Sequence, residues 1–271
     1  MRTVFSLAWH EHERPFEDAF LADEERGMFL VADGVTRTPG PQGYPNPSPA
    51  REAADALLHA VHATLRDLPF APESFVEACR IGNQRIRELN EQLGFWNHTD
   101  YLERDLAGAV FAGAWLRDDE LLWAVLADCG VAALLPTGTM AWETADQLVP
   151  VRQHFPKPST REERFETSPR AIEVRRDFRN KPSRGLDRTY GVFTGEDEAL
   201  QYLETGSRTL SLGETMLVFT DGIRPFFSDA EFRSLLCNGT AEEIQQFIPN
   251  SPQNQPMTDK TLIVLRPKKT S

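Results

Sequence analysis

Apolar and polar positions in the first third of the chain follow a strand-like pattern and then change to helical spacing. The runs "TVFSLAW", "DAFLAD" and "GMFLVADG" are short, apolar and bounded by polar residues, so each predicts a strand. Ser48 and Pro49 form a pair that is typical of a helix start. Helical spacing follows at Ala50, Ala54, Leu57, Val61 and Leu65. A second helix is predicted from about Pro72 to Leu93.

The strand pattern returns after the two helices and continues to the end of the chain. The segments that predict strands are "LAGAVFAGAWL", "LLWAVLADCG", "VAALLPTG", "TYGVFTG", "RTLSL", "TMLVFTDG" and "KTLIVLRP". Asp118 and Asp119 separate the first two segments and predict an antiparallel hairpin. A short helix is predicted at "SDAEFRSLLC". This order favours an α+β fold in which antiparallel sheets pack on each other and helices cover the outside.

Two segments show neither the strand pattern nor the helical spacing. The stretch from Thr36 to Pro49 is dense in proline and glycine, which predicts a long loop. Residues from about 142 to 187 are polar and rich in Arg, Glu and Pro, which predicts an irregular excursion with some helix. Neither segment divides the chain convincingly, so residues 1–271 are predicted to form a single domain.

Composition narrows the class of protein. The chain has 41 acidic and 29 basic residues, a formal net charge of -12, and no cluster of basic residues, which disfavours nucleic-acid and anionic-membrane partners. The sequence has no apolar run of about 20 residues and no secretory signal at its N-terminus, so a cytoplasmic protein is expected. The three cysteines are widely spaced and predict neither a disulfide framework nor a thiolate metal site.

Acidic residues stand where several predicted strands begin or end. They are Glu17, Asp18, Asp33, Asp128, Asp221 and Asp259. Each one alone has an ordinary explanation, because aspartate is common in turns. If adjacent strands bring them to one edge, however, the carboxylates cannot all stay ionised without cations between them. Oxygen ligands without histidine or cysteine favour Mg²⁺ or Mn²⁺ over zinc.

The ordered motifs "ED", "VADG", "AGAV", "LADCG", "FTDG" and "TDKTLIVL" resemble those of the metal-dependent protein phosphatases, the type 2C Ser/Thr phosphatases. Each motif is short, but their order and spacing agree over nearly the whole chain, from about Phe5 to Leu265. The resemblance implies a four-layer α/β/β/α sandwich of two antiparallel sheets flanked by helices. It also implies hydrolysis of phosphoserine or phosphothreonine in a protein substrate by a hydroxide that bridges two Mg²⁺ or Mn²⁺ ions.

The resemblance assigns the main metal positions residue by residue. Asp33 would bridge the two ions, and Gly34 would offer its backbone carbonyl to one of them. Asp221 and Asp259 would ligate the other ion. The glycine that follows Asp33 and the one that follows Asp221 are expected to let the chain turn and expose a carbonyl.

Three further acids complete the implied site. Glu17 and Asp18 would hold waters bound to the metals, and Asp128 would share a weaker third ion with Asp221. Asp33, Asp221 and a phosphate-binding arginine, Arg14, are the expected catalytic residues.

The sequence departs from the family around the phosphate. Arg14 lies three residues before Glu17, where active members commonly place an arginine four residues before it. Val35 stands where the family often has histidine, which leaves His10, His12 or water as the acid. Arginines at 179, 184 and 188 are further candidates to line the groove. Two alternatives therefore stay open: a pseudophosphatase that acts as a regulatory binding module, and a phosphatase of a small phosphorylated metabolite.

Overall fold

Two five-stranded antiparallel sheets form the centre of the protein in a computed structural model, which describes residues 2–11, 13–35, 45–102, 104–154, 169–256 and 258–267. The first sheet has the order β1 (Arg2–Trp9), β10 (Lys260–Pro267), β9 (Thr215–Phe219), β6 (Gly130–Leu134) and β7 (Met140–Glu143). The second has the order β2 (Ala19–Asp23), β3 (Met28–Gly34), β4 (Ala109–Arg117), β5 (Glu120–Leu126) and β8 (Glu204–Thr209). The hairpin predicted at Asp118 and Asp119 is confirmed, because β4 and β5 pair antiparallel across it.

Helices cover the outer face of each sheet. Their bounds are α1 (Pro49–Leu65), α2 (Pro72–Gln92), α3 (Val149–His154), α4 (Pro169–Asp177), α5 (Ala230–Asn238) and α6 (Ala241–Asn250). The α1 start follows the sequence signal, since the Ser48 side chain accepts a hydrogen bond from the backbone N of Arg51 at 3.1 Å. No helix in the described ranges is long and apolar enough to cross a bilayer.

Side chains that alternate along β3 explain the layers. Phe29 and Val31 pack in the core between the two sheets, whereas Leu30 and Ala32 pack against the helices α1 and α2. A third core joins the first sheet to α5 and α6. The result is the predicted four-layer α/β/β/α sandwich, in which every central strand is buried on both faces.

The strand predicted at "TYGVFTG" is wrong. This segment makes only isolated bridges at Tyr190 and Phe193 within the described chain. Its backbone groups bond to side-chain amides instead: Asn180 both donates to the carbonyl of Val192 and accepts from its N–H, each at 2.9 Å. Amide side chains thus satisfy a backbone that the apolar pattern assigned to a sheet.

The two segments without periodicity are described only in part. Residues 36–44 of the predicted loop and residues 155–168 of the predicted excursion lie outside the described ranges. The rest of the excursion contains the end of β7, the helices α3 and α4, and a short 3₁₀ helix at Pro182–Arg184. Strand β7 and helix α6 had no counterpart in the sequence prediction.

Candidate metal centre

Five of the predicted acids come together at one end of the sandwich. They are Asp18, Asp33, Asp128, Asp221 and Asp259. Burial is the main cause that raises the pKa of Asp33 well above its ordinary value, and the negative charges of the other four raise it further. Because such charge effects weaken with distance, the five side chains form one electrostatic cluster.

Strand register explains the first-sheet half of this cluster. Phe219, at the end of β9, pairs with the first residue of β6 and with a residue near the start of β10. Asp221 follows Phe219 by two residues, so it lies at the end of the sheet where β6 and β10 begin. Asp128 and Asp259 are the acids that lead into β6 and β10. Three acids that are distant in sequence therefore lie at the same end of the first sheet.

The second sheet supplies the other two acids through a single pairing. Ala19 of β2 lies opposite Ala32 of β3, so Asp18 and Asp33 sit side by side. Thr220 Oγ1 of the first sheet donates to Asp18 Oδ2 at 2.8 Å. Asp18 is fully buried and this contact joins the two sheets at the site.

Burial and mutual repulsion raise the pKa values across the cluster. Burial, followed by the charge of Asp259, raises the pKa of Asp18 to about 7. Burial, followed by the charge of Asp221, raises the pKa of Asp128 to about 7. Burial, followed by the charge of Asp18, raises the pKa of Asp221 to about 6. Without a cation, several of these groups hold protons near neutral pH.

The donor atoms fit a hard divalent cation. Asp18 Oδ1 and Asp221 Oδ1 are buried and have no hydrogen-bond partner in the described chain. Buried carboxylate oxygens without donors are costly unless a cation compensates them. The described residues nevertheless contain no group of three or more His, Cys, Asp or Glu side chains that could hold a metal ion as they stand. The side chains would have to rotate to chelate one.

Glu17 is held differently from the five aspartates. Its Oε1 accepts from Ser48 Oγ at 2.5 Å, and its backbone N donates to Asp259 Oδ2 at 2.8 Å. Gly34 N in turn donates to the Glu17 carbonyl at 3.2 Å. The helix cap of α1, Glu17 and the end of β3 are therefore tied together beside the cluster.

The glycines after Asp33 and Asp221 have a role that differs from the turn predicted by the sequence. Strand β3 continues through Gly34, and neither glycine has a positive φ. A Cβ at Gly34 would lie 2.6 Å from the Ala50 carbonyl oxygen and 2.8 Å from that of Glu17. At Gly222 it would collide with the carbonyl oxygen of Asp259. Both glycines permit close approach of neighbouring backbone segments.

A groove of about 890 Å³ lies beside the cluster. Its lining includes His10, Arg14, Phe16, Arg51 and Asp55. His10 Nδ1 lies 2.8 Å from Asp259 Oδ1, and the Arg51 guanidinium donates to the backbone carbonyl of Asp18, so the groove adjoins the acids. Arg14 is half-buried in this wall. Two arginines thus line the approach to a negatively charged site.

Solved structures share this architecture at low sequence identity. The catalytic domain of the Ser/Thr phosphatase PstP, in complex with two manganese ions, is 17% identical, with a TM-score of 0.63 and coverage of 98% of this chain and 97% of that one. The S. agalactiae Ser/Thr phosphatase is 13% identical, with a TM-score of 0.65 and coverage of 98% and 99%. The PPM Ser/Thr phosphatase MsPP of Mycobacterium smegmatis, in complex with cacodylate, is 14% identical, with a TM-score of 0.60 and coverage of 97% of both chains.

The chain has the fold of the PPM Ser/Thr phosphatases. The sequence matches no protein-family model and no curated protein. Three-dimensional similarity at low sequence identity therefore supports the assignment of the PPM fold.

Sequence reasoning missed three polar residues around the acids of this PPM fold. Arg51 reaches back from α1 to Asp18, Thr220 bonds to the same aspartate, and Arg152 of α3 binds Asp128. Thr220 directly precedes Asp221, so its position in the "FTDG" motif was a usable signal. The two arginines stand in polar stretches that carry no such signal.

The arginines proposed for the groove from sequence do not line it. Arg179 is buried and forms an ion pair with Asp105, with Nη2 2.7 Å from Oδ1. Arg184 pairs with Asp177 and Arg188 with Asp187, both at exposed positions. Arg179 therefore belongs to a buried ion pair, and the other two arginines belong to exposed pairs, outside the groove.

Proposed function

We propose that this protein is a Mg²⁺- or Mn²⁺-dependent phosphatase that hydrolyses phosphoserine or phosphothreonine in proteins. The observation that carries the proposal is the cluster of five aspartates, in which two buried oxygens have no hydrogen-bond donor among the described residues. A cluster of this charge is unfavourable unless cations complete it. It lies in a PPM fold, and the PstP domain of the same fold holds two manganese ions.

The proposed ligands are the acids at the strand ends. Asp33, the Gly34 carbonyl, Asp221 and Asp259 would hold the ions. Asp18 would act through water, since Thr220 already occupies one of its oxygens. When bound, divalent cations lower the pKa of coordinated water and offset the charge of phosphoryl oxygens.

Glu17 has a positioning role in this proposal. Its carboxylate accepts from Ser48, and its backbone N–H holds one oxygen of Asp259. That hydrogen bond restricts the rotation of the Asp259 carboxylate. Glu17 therefore orients a proposed ligand in addition to the water contact that the resemblance implies.

The groove would bind the phosphorylated residue through its arginines. Arg51 is held by Asp55, with Nε 2.7 Å from Oδ2, and its side chain is 30% exposed. Arg14 lines the same groove. A fixed guanidinium beside an acidic metal site attracts a phosphate and orients it for attack. Arg51 was not among the predicted catalytic residues, and it joins Arg14 as a candidate for phosphate binding.

A binding module without catalysis is the second candidate. It is favoured by the lack, in the described chain, of three acidic or histidine side chains already arranged to hold an ion. Val35 also stands where the resemblance expects an acid catalyst. Such a module would bind metal or a phosphorylated partner without turnover.

Phosphate release in millimolar Mn²⁺ distinguishes these functions. Purified protein should release phosphate from phosphoserine and phosphothreonine peptides, and EDTA should abolish the release. Turnover of small phosphorylated metabolites in preference to peptides would support the metabolite alternative. If neither p-nitrophenyl phosphate nor any peptide is hydrolysed while calorimetry shows Mn²⁺ binding, the binding module is the correct function.

A further inference from the structure

One arginine side chain already occupies part of the acid cluster. Arg152 Nη2 lies 2.8 Å from Asp128 Oδ2, and Arg152 Nη1 lies 2.6 Å from Asp146 Oδ2. Both carboxylates are nearly buried, with side chains 10% exposed, whereas that of Arg152 is 46% exposed. The guanidinium of Arg152 therefore covers the side of these carboxylates that faces solvent.

The backbone holds this arginine in place through a paired contact. Ala127 N donates to Gln147 Oε1 at 2.6 Å, and Gln147 N donates to the Ala127 carbonyl at 3.1 Å. Asp146 Oδ1 accepts from Leu148 N at 2.9 Å just before α3 begins. The turn that carries Asp128 and the segment that carries Arg152 are thus fixed to each other.

Arg152 is the main positive charge acting on this side of the cluster. Its charge lowers the pKa of both Asp128 and Asp221, against burial and against the negative charge of Asp146. A second arginine close to this turn, Arg224, pairs with Glu143 and donates to the backbone carbonyl of Asp128. Arg152 is therefore the arginine of this pair that binds the Asp128 carboxylate.

We propose that Arg152 is a permanent cation that takes the place of a metal ion at Asp128. The proposal rests on the metal-dependent function above and refines it: Asp128 anchors Arg152 and is not a metal ligand in this protein. A carboxylate oxygen that already accepts from a guanidinium is a poor ligand for an ion, because the two cations repel each other. The site thus keeps ions at Asp33, Asp221 and Asp259 and excludes a further ion at Asp128.

Removing the guanidinium should create an ion site. Arg152→Ala leaves Asp128, Asp146 and Asp221, which act on one another electrostatically, without this cation. Their oxygens are of the kind that Mn²⁺ prefers, and the side chains can rotate toward an ion once the guanidinium is gone. The variant is expected to bind one more Mn²⁺ per chain than the wild type. It should also melt lower in EDTA and gain more in melting temperature on addition of Mn²⁺.

The experiment counts bound Mn²⁺ by titration calorimetry and by metal analysis after gel filtration, using the full chain. Arg152→Lys keeps the charge and should bind as many ions as the wild type. Arg80→Ala is the matched control, because Arg80 is similarly exposed at 48% and pairs with Glu77 away from the cluster. It should leave the count and the Mn²⁺ response unchanged.

A second variant tests the same claim without removing the arginine. Asp128→Asn should leave the number of bound ions at the wild-type value, since Asp128 holds no ion. Loss of one ion in Asp128→Asn, or an unchanged count and Mn²⁺ response in Arg152→Ala, would overturn the proposal. Phosphate release does not enter these counts, so an inactive wild type would contradict the proposed function alone.

Discussion

At the scale of single residues, the chain places aspartates where apolar strands begin or end, and the fold brings five of them together. The aspartates were visible in the sequence because an acid directly before or after an apolar run is conspicuous. Their electrostatic coupling was not visible, because it depends on which strands are neighbours. Arg51 and Arg152 were missed for the same reason: each acts on an aspartate of a distant segment, with nothing in the local pattern to indicate the contact.

Raised carboxyl pKa values make the stability of the metal-free protein depend on pH. A carboxyl group with a higher pKa in the folded state stabilises the fold at low pH and loses that contribution as pH rises through the folded pKa. The pKa of Asp18 and Asp128 rises from 3.8 to about 7, and that of Asp221 to about 6. In EDTA, the melting temperature should therefore fall as pH rises from about 5 to 7.5.

Two comparisons test whether the aspartate cluster causes this dependence of melting temperature on pH. Saturating Mn²⁺ should flatten the fall, because the ion replaces the protons; it should add roughly 2.7 kcal/mol at 100 times its dissociation constant. Asp33→Asn cannot titrate at that position, so its melting temperature in EDTA should fall less steeply than that of the wild type. A melting temperature that rises with pH in EDTA would contradict the electrostatic account.

At the scale of elements, the long helices and most strands followed from periodicity, and the exceptions have physical causes. The segment predicted as a strand at "TYGVFTG" bonds to asparagine side chains from two other segments, an arrangement that apolar spacing does not encode. The turn predicted at Gly34 is also wrong, because β3 continues through this residue. Packing of α1 against the end of β3 is what requires a glycine there.

Gly34→Ala tests that contact between elements. The added methyl group would lie within 2.8 Å of three backbone atoms of Ala50 and Glu17, and backbone cannot rotate away as a side chain can. We expect a loss of about 3 kcal/mol or more in the free energy of unfolding, measured by urea denaturation. Gly94→Ala is the control: nothing lies within 4 Å, so only its φ of +73° penalises alanine, by about 1–2 kcal/mol. Equal losses in the two variants would show that α1 does not press on Gly34.

At the scale of the whole molecule, the two sheets pack so that the strand ends carrying the acids lie at the same end of the sandwich. Motif order along the sequence was enough to predict this fold and the five aspartates. It was not enough to predict the groove, because its walls come from the end of β1, the segment before β2 and helix α1.

The decisive measurement is Mn²⁺-dependent release of phosphate from a phosphothreonine peptide, compared between the wild type and Asp33→Asn. Asp119→Asn serves as the control, since Asp119 is an exposed acid of the β4–β5 hairpin. The wild type and Asp119→Asn should release phosphate, and a folded Asp33→Asn should release none above background. Wild-type rates in Asp33→Asn would show that the aspartate cluster is not the catalytic metal centre.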